Sequence, residues 1–316
     1  MAEGGWCSNF CKRWEIASQC RTNKHKLSID ERLPSIRNFH TWLIYGLQRS
    51  EPQRCPKYGR FPPARMYHMD QVPLPFSPGN KRTLNMKGEQ CAMKKPGGSG
   101  ASKRFCTLQV TICAQGDGQR VKLEIYFRGK GMWLSHAERN HYPGLDNIIV
   151  RFQPKAWADG KISMEYLEAF RDATIDQGEV LLGMDNHSSQ RTEACEAYMK
   201  LMQIIPAYTP ANCTDCVSPV DCNVGQALKL KIAKRYNASY EAHKAAWEAP
   251  KRRGGLSDAK KRMYVAEWAS DAWREMCGEN GRHCIESSFV KTGFLLAKDG
   301  SENGKVELWA RSTRRA

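Results

Sequence analysis

The chain has 316 residues, of which 26% are charged and 41% hydrophobic, and carries a formal net charge of +16. It is long enough for one large or two modest buried cores, and no window approaches the roughly 18 apolar residues of a membrane span. The opening MAEGGWCSNFCKRW lacks the apolar centre of a secretory signal, so the 13 cysteines are expected to be reduced thiols, and their odd number argues against a disulfide framework.

The charge is uneven: residues 1–104 hold 19 Lys and Arg against 7 acids, which places 12 of the 16 net charges in the first third. Such a surplus suits a polyanionic partner, nucleic acid first among them, although a solvated basic surface has the same composition. In chain order, GWCSNFCKRWEIASQC (5–20) spaces Trp6, Phe10, Trp14 and Ile16 at roughly helical intervals. Leu33 to Leu47 repeats that pattern through Ile36, Phe39 and Leu43. Arg65 to Asp70 reads as a short strand that runs into a proline-rich turn, and KKPGGSGASKR (94–104) as a flexible basic loop without phosphate-loop register.

FCTLQVTICA (105–114) and RVKLEIYFR (120–128) flank Gln-Gly-Asp-Gly-Gln and predict a hairpin. Ser163 to Ile175 predicts a helix, and EVLLGMD (179–185) a buried strand ending in an acid. Another strand is expected within Leu201–Tyr208, a long basic helix over Val224–Trp247, a helix over Arg262–Met276 and a final hairpin. Strands and helices are mixed, which points to an α/β or α+β fold. Cys213 and Cys216 form a CxxC with Cys222 beyond it, but no second pair follows at zinc-finger spacing.

Three acids stand out. Asp70 and Asp185 each end a strand-like run, MYHMD and LLGMD, and Asp221 opens the long helix. Taken singly, each suits a structural role: a turn residue, a strand-end cap and a helix N-cap. Taken together, three carboxylates at the ends of adjacent elements suit Mg²⁺ or Mn²⁺ and in-line phosphoryl transfer.

HMDQVPLPF, RFCTLQVTICA, IYFRGKG, FQPKAWADG, LLGMDNHSSQ, YTPANCTDCVSPVD and NVGQALK resemble, in this order, the motifs of pogo-like DDE transposases. These share the DDE superfamily endonuclease domain with centromere protein B-like relatives. The resemblance runs from about residue 5 to about 296. It implies an RNase H-like, mixed five-stranded sheet flanked by helices and preceded by a partial helix-turn-helix. The division it implies is a DNA-binding region over 1–50, an endonuclease domain over 60–250 and a helical tail over 251–316.

On this resemblance Asp70, Asp185 and Asp221 are the catalytic and metal-binding residues of a two-metal site for Mg²⁺ or Mn²⁺. Lys12, Arg13 and Arg21 are the candidate DNA contacts, with Trp and Phe of the same stretch packing a core. The chain is expected to begin inside the DNA-binding region, and Ser218 stands where many relatives carry Gln. The implied protein cuts and joins double-stranded DNA at transposon ends as a homodimer in the nucleus, with no membrane association. KRRGGLSDAKKR (251–262) is either a nuclear signal or a basic linker. The alternative function is a transposase-derived DNA-binding protein without catalysis; a ribonuclease or exonuclease on the same fold is a third.

Overall fold

The computed structural model describes residues 3–20, 27–75, 82–86, 104–116, 120–249 and 251–307. Helix α1 (Glu3–Arg13) leads to strand β1 (Ile16–Cys20) and, beyond an N-cap at Ser28, to α2 (Ile29–Thr41), which continues in wider π-type turns over Trp42–Gln48. Strands β2 (Met66–Pro75) and β3 (Arg82–Met86) follow; β3 pairs antiparallel with β1 in a separate ribbon. Next come β4 (Arg104–Cys113), β5 (Leu123–Arg128), α3 (His136–His141) and β6 (Ile148–Gln153). The chain proceeds through α4 (Gly160–Thr174), β7 (Val180–Met184), α5 (Glu193–Leu201), β8 (Ile204–Tyr208) and α6 (Thr214–Val217). Four helices close it: α7 (Gly225–Ala242), α8 (Lys244–Glu248), α9 (Asp258–Cys277) and α10 (Glu279–Lys291).

The main sheet has the order β6-β5-β4-β2-β7-β8. β2, β4 and β5 form an antiparallel meander, and β7 and β8 add parallel to β2 on its other side. This is the RNase H-like arrangement, enlarged by one strand: β6 pairs parallel with β5 at the outer edge, giving six strands where five were expected. IIVRFQ is only half-buried along most of its length, and its mixed apolar and charged residues leave no strong period to read.

Side-chain alternation assigns the two faces. Tyr67 and Met69 of β2 with Val180, Leu182 and Met184 of β7 pack under Phe170 of α4 and Met199 of α5. Met66, Val72 and Leu74 with Leu181 face the opposite way, into one cluster that draws on Ile36, Leu228, Ala269, Trp273, Phe289 and Phe294. Strand β7 is buried throughout because both faces are covered, which accounts for its unbroken apolar run. At the far end of this layer Arg262, in the basic run, donates from Nε to Oε1 of the buried Glu138 at 2.8 Å.

Several expectations are corrected. The helical spacing at residues 5–20 ends at Arg13; Glu15 takes a positive φ of 50° and Ile16–Cys20 is strand, so no helix-turn-helix forms among the described residues. The rings of Phe10 and Trp14 lie 6.5 Å apart at a 49° tilt, and both are exposed rather than buried in a core. The prolines do not end β2, which pairs with β4 through Pro75. β7 accompanies β2 only as far as His68, so Pro73 and Pro75 lie where, among the described residues, no strand pairs on that side and a missing N–H is tolerated. The helix expected over Val224–Trp247 breaks at His243. Beyond α10 the described tail holds turns and one short 3-10 helix, Asn303–Lys305, and no hairpin. The loop at 94–103 lies outside the described residues. Among those described, no helix is long and apolar enough to cross a membrane.

Candidate active site

The register of β2 and β7 sets the first two acids. His68 is the last β2 residue paired with β7, and its partner is Gly183. Asp70 and Asp185 each follow two residues later, so both stand at the same level and on the same face, just beyond the point where β2 and β7 stop pairing. The repeated Met-Asp ending of MYHMD and LLGMD is the sequence form of this pairing.

Asp70 is half-buried. Its Oδ1 accepts from the Gln71 amide at 2.7 Å, and its Oδ2 accepts from the Ser218 hydroxyl at 3.1 Å. Asp185, also half-buried, accepts at Oδ1 from the Asn186 amide at 2.7 Å and from Thr209 Oγ1 at 3.4 Å. Thr209 belongs to the loop leaving β8, and its amide closes on Met184 O at 2.9 Å. Arg32 of α2, itself buried, holds the middle of that loop by donating to Asn212 O at 2.8 Å and to Asp215 at 2.5 Å.

The third acid is placed by a helix start. Ser218 has extended backbone, its carbonyl accepts from Cys222 N at 2.9 Å, and its hydroxyl accepts from Asp221 N at 3.2 Å. It is therefore the N-cap, Pro219 occupies the first helical position, and Asp221 occupies the third. Asp221 is not itself the cap. The pattern Ser-Pro-x-Asp carries this signal in the sequence, and it was the feature missed there, along with Thr209. A π-type turn over Val220–Val224 then leads into α7 at Gly225, where an added Cβ would sit 3.1 Å from Val72 Cγ2. The absence of a side chain lets the helix start approach β2 beside Asp70.

The carboxyl of Asp70 is pushed up to about 8. Burial is the largest cause, the Asp221 charge is next and the Asp185 charge adds to it; the amide of Gln71 and the hydroxyl of Ser218 pull the other way. The three acids thus share one electrostatic field. Among the described residues, no three His, Cys, Asp or Glu side chains already stand as a metal cage. The donor chemistry fits a hard divalent cation nonetheless: all three side chains offer oxygen, and a cation would remove the repulsion that holds a proton on Asp70.

Of the other expected residues, Lys12 and Arg13 lie exposed in the last turn of α1, and Arg21 is outside the described residues. Cys213 and Cys216 are buried in the core beneath the loop.

The sequence-family model described as "DDE superfamily endonuclease" matches residues 106–276, which is more than half of the chain. No curated protein sequence matches it. Among solved structures, the Mos1 mariner paired end complex with Mn is 14% identical with a TM-score of 0.44, covering 88% of this chain and 70% of that one. The Mos1 transposase paired-end complex with left transposon end is 14% identical with a TM-score of 0.41, covering 90% and 70%. The catalytic domain of Mos1 mariner transposase is 13% identical with a TM-score of 0.37, covering 83% and 98%.

Proposed function

Since the chain belongs to the DDE superfamily endonuclease family, we propose that it is a metal-dependent DNA endonuclease and strand transferase of the transposase type, with Asp70, Asp185 and Asp221 as its catalytic carboxylates. The observation that carries this reading is the register that sets Asp70 and Asp185 at one level on β2 and β7, with Ser218 bridging Asp70 to the helix start bearing Asp221; the raised carboxyl of Asp70 agrees with it. Perturbation by like charges at a strand edge is costly to a fold and useful to a metal site.

In this reading the three carboxylates hold two Mg²⁺ or Mn²⁺ ions. When bound, such ions activate the attacking oxygen and stabilise charge on both sides of an in-line phosphoryl transfer. The chain's own residues orient the ligands. The Asn186 amide and Thr209 fix Asp185, the Gln71 amide fixes Asp70, and Asp70 would hold a cation as its carboxylate. The partner is double-stranded DNA at transposon ends, bound by exposed basic residues that include Lys12 and Arg13. Two chains act together on the two ends, and the work is done in the nucleus.

The test is nicking of supercoiled plasmid, or of a duplex carrying a transposon end, with Mg²⁺ or Mn²⁺ and beside Asp185→Asn. Cleavage by the native protein and none by the variant is the expected result. Equal cleavage by both would remove the catalytic reading, and cleavage by neither would favour a derived DNA-binding protein.

A further inference from the structure

The serine at the start of the third-acid helix has two partners of different kinds. Ser218 is fully buried; its hydroxyl donates to Asp70 Oδ2 at 3.1 Å and accepts from Asp221 N at 3.2 Å. One oxygen therefore joins a strand carboxylate to the backbone of the residue carrying the other. We propose that Ser218 is a positioning residue that sets the separation of Asp70 and Asp221 for metal capture, beyond its part in starting the helix. The inference rests on the metal-binding reading above.

The argument is geometric. Asp70 is on β2 and Asp221 lies 151 positions later in the chain. The two elements approach through Gly225 against Val72, a contact that sets how close the helix start lies but not how the carboxylate rotates. Rotation of Asp70 is fixed at its two oxygens, by the Gln71 amide on Oδ1 and by Ser218 on Oδ2. The first donor is Asp70's own neighbour and carries no information about the helix. Ser218 alone of these two ties the carboxylate plane to the element bearing Asp221. Hydrogen-bond partners of metal-ligating carboxylates commonly change metal affinity by about 10–100-fold when removed.

Two substitutions separate capping from tethering. Glycine is nearly as good as serine at an N-cap but has no hydroxyl, and threonine keeps the hydroxyl. Mn²⁺ binding to the DNA-free protein, measured by calorimetry, is expected to weaken about tenfold in Ser218→Gly and to recover most of that loss in Ser218→Thr. Thermal melting without metal should place Ser218→Gly close to the native protein. In the nicking assay Ser218→Gly should need more Mn²⁺ for half-maximal rate while its KM for DNA stays unchanged. Native Mn²⁺ affinity in Ser218→Gly would overturn the proposal, as would equal losses in both variants, which would assign the effect to packing. Asp185→Asn is the control for the underlying reading: undiminished Mn²⁺ binding there would remove the metal site itself, whatever the serine variants do.

Discussion

Asp70 and Asp185 stand at the same level on neighbouring parallel strands, each two residues beyond the His68–Gly183 pair that ends the ladder. The β2–β7 ladder therefore ends just before the two acids, while β2 stays paired with β4 through Pro75. Substitution of either should leave the sheet intact. We expect Asp70→Asn and Asp185→Asn to lower the cleavage rate by about 10²–10³-fold, the scale of losing one preorganised electrostatic stabiliser. Nicking rates beside circular dichroism spectra check this, and a rate within tenfold of native would count against it.

Asp70 also gives the metal-free protein a pH signature. Its carboxyl titrates at about 8 when folded, against about 4 in an unfolded chain. Between these values the folded protein holds a proton that the unfolded chain has released. This group's contribution to stability is therefore fully present below about pH 4 and is lost as pH rises through 8. Asp70→Asn cannot ionise, so its melting temperature should rise relative to the native protein from pH 5 to pH 9. A constant gap across that range would refute the assignment. Mn²⁺ added at pH 7 should release close to one proton from Asp70, read as a dependence of binding heat on the ionisation enthalpy of the buffer.

Gly183 is where the sheet meets the tail. A Cβ there would lie 2.4 Å from Phe294 Cζ and 2.5 Å from His68 Cδ2, and both rings are buried and packed edge-on at 5.2 Å. Neither can retreat without opening the core. Gly183→Ala should cost about 1–3 kcal/mol by denaturant unfolding, the usual price of overpacking. A neutral result would mean that the Phe294 segment is loosely held.

Lys12 and Arg13 are exposed and lie in the first, basic third of the chain. If both meet phosphates, replacing them with Ala should weaken DNA binding about equally across sequences. The slope of log affinity against log salt should shrink by about 2. Fluorescence anisotropy over a salt series reads this, and an unchanged slope would place the DNA elsewhere.

Much of the site was legible because Asp70 and Asp185 close strongly patterned apolar runs, although β2 itself continues past Asp70. MYHMD and LLGMD show their endings openly, and burial on both faces makes β7 readable from composition alone. The remainder depended on contacts between distant segments. The prolines after Asp70 read as a stop, yet β2 continues because β4 still pairs with it and, among the described residues, no strand pairs with its other side there. Ser218 read as a departure from the family pattern; only the fold shows that its hydroxyl lies against Asp70. The spacing of Phe10 and Trp14 is helical, but both rings are exposed and the helix ends at Arg13. Periodicity reports an element's own shape and is silent about whether a partner exists.

The helix start at Ser218 also governs where this chain can change length. Between Asp185 and Ser218 the chain runs through α5, β8, a loop and α6, and an added residue in an exposed part of that path can be absorbed locally. From Ser218 to Asp221 there is no such slack. One residue inserted there would turn the carboxylate by about 100° around the helix axis and separate it from Asp70. The three-residue interval from serine to acid is thus a fixed dimension of the site, while the much longer interval before it is free to drift.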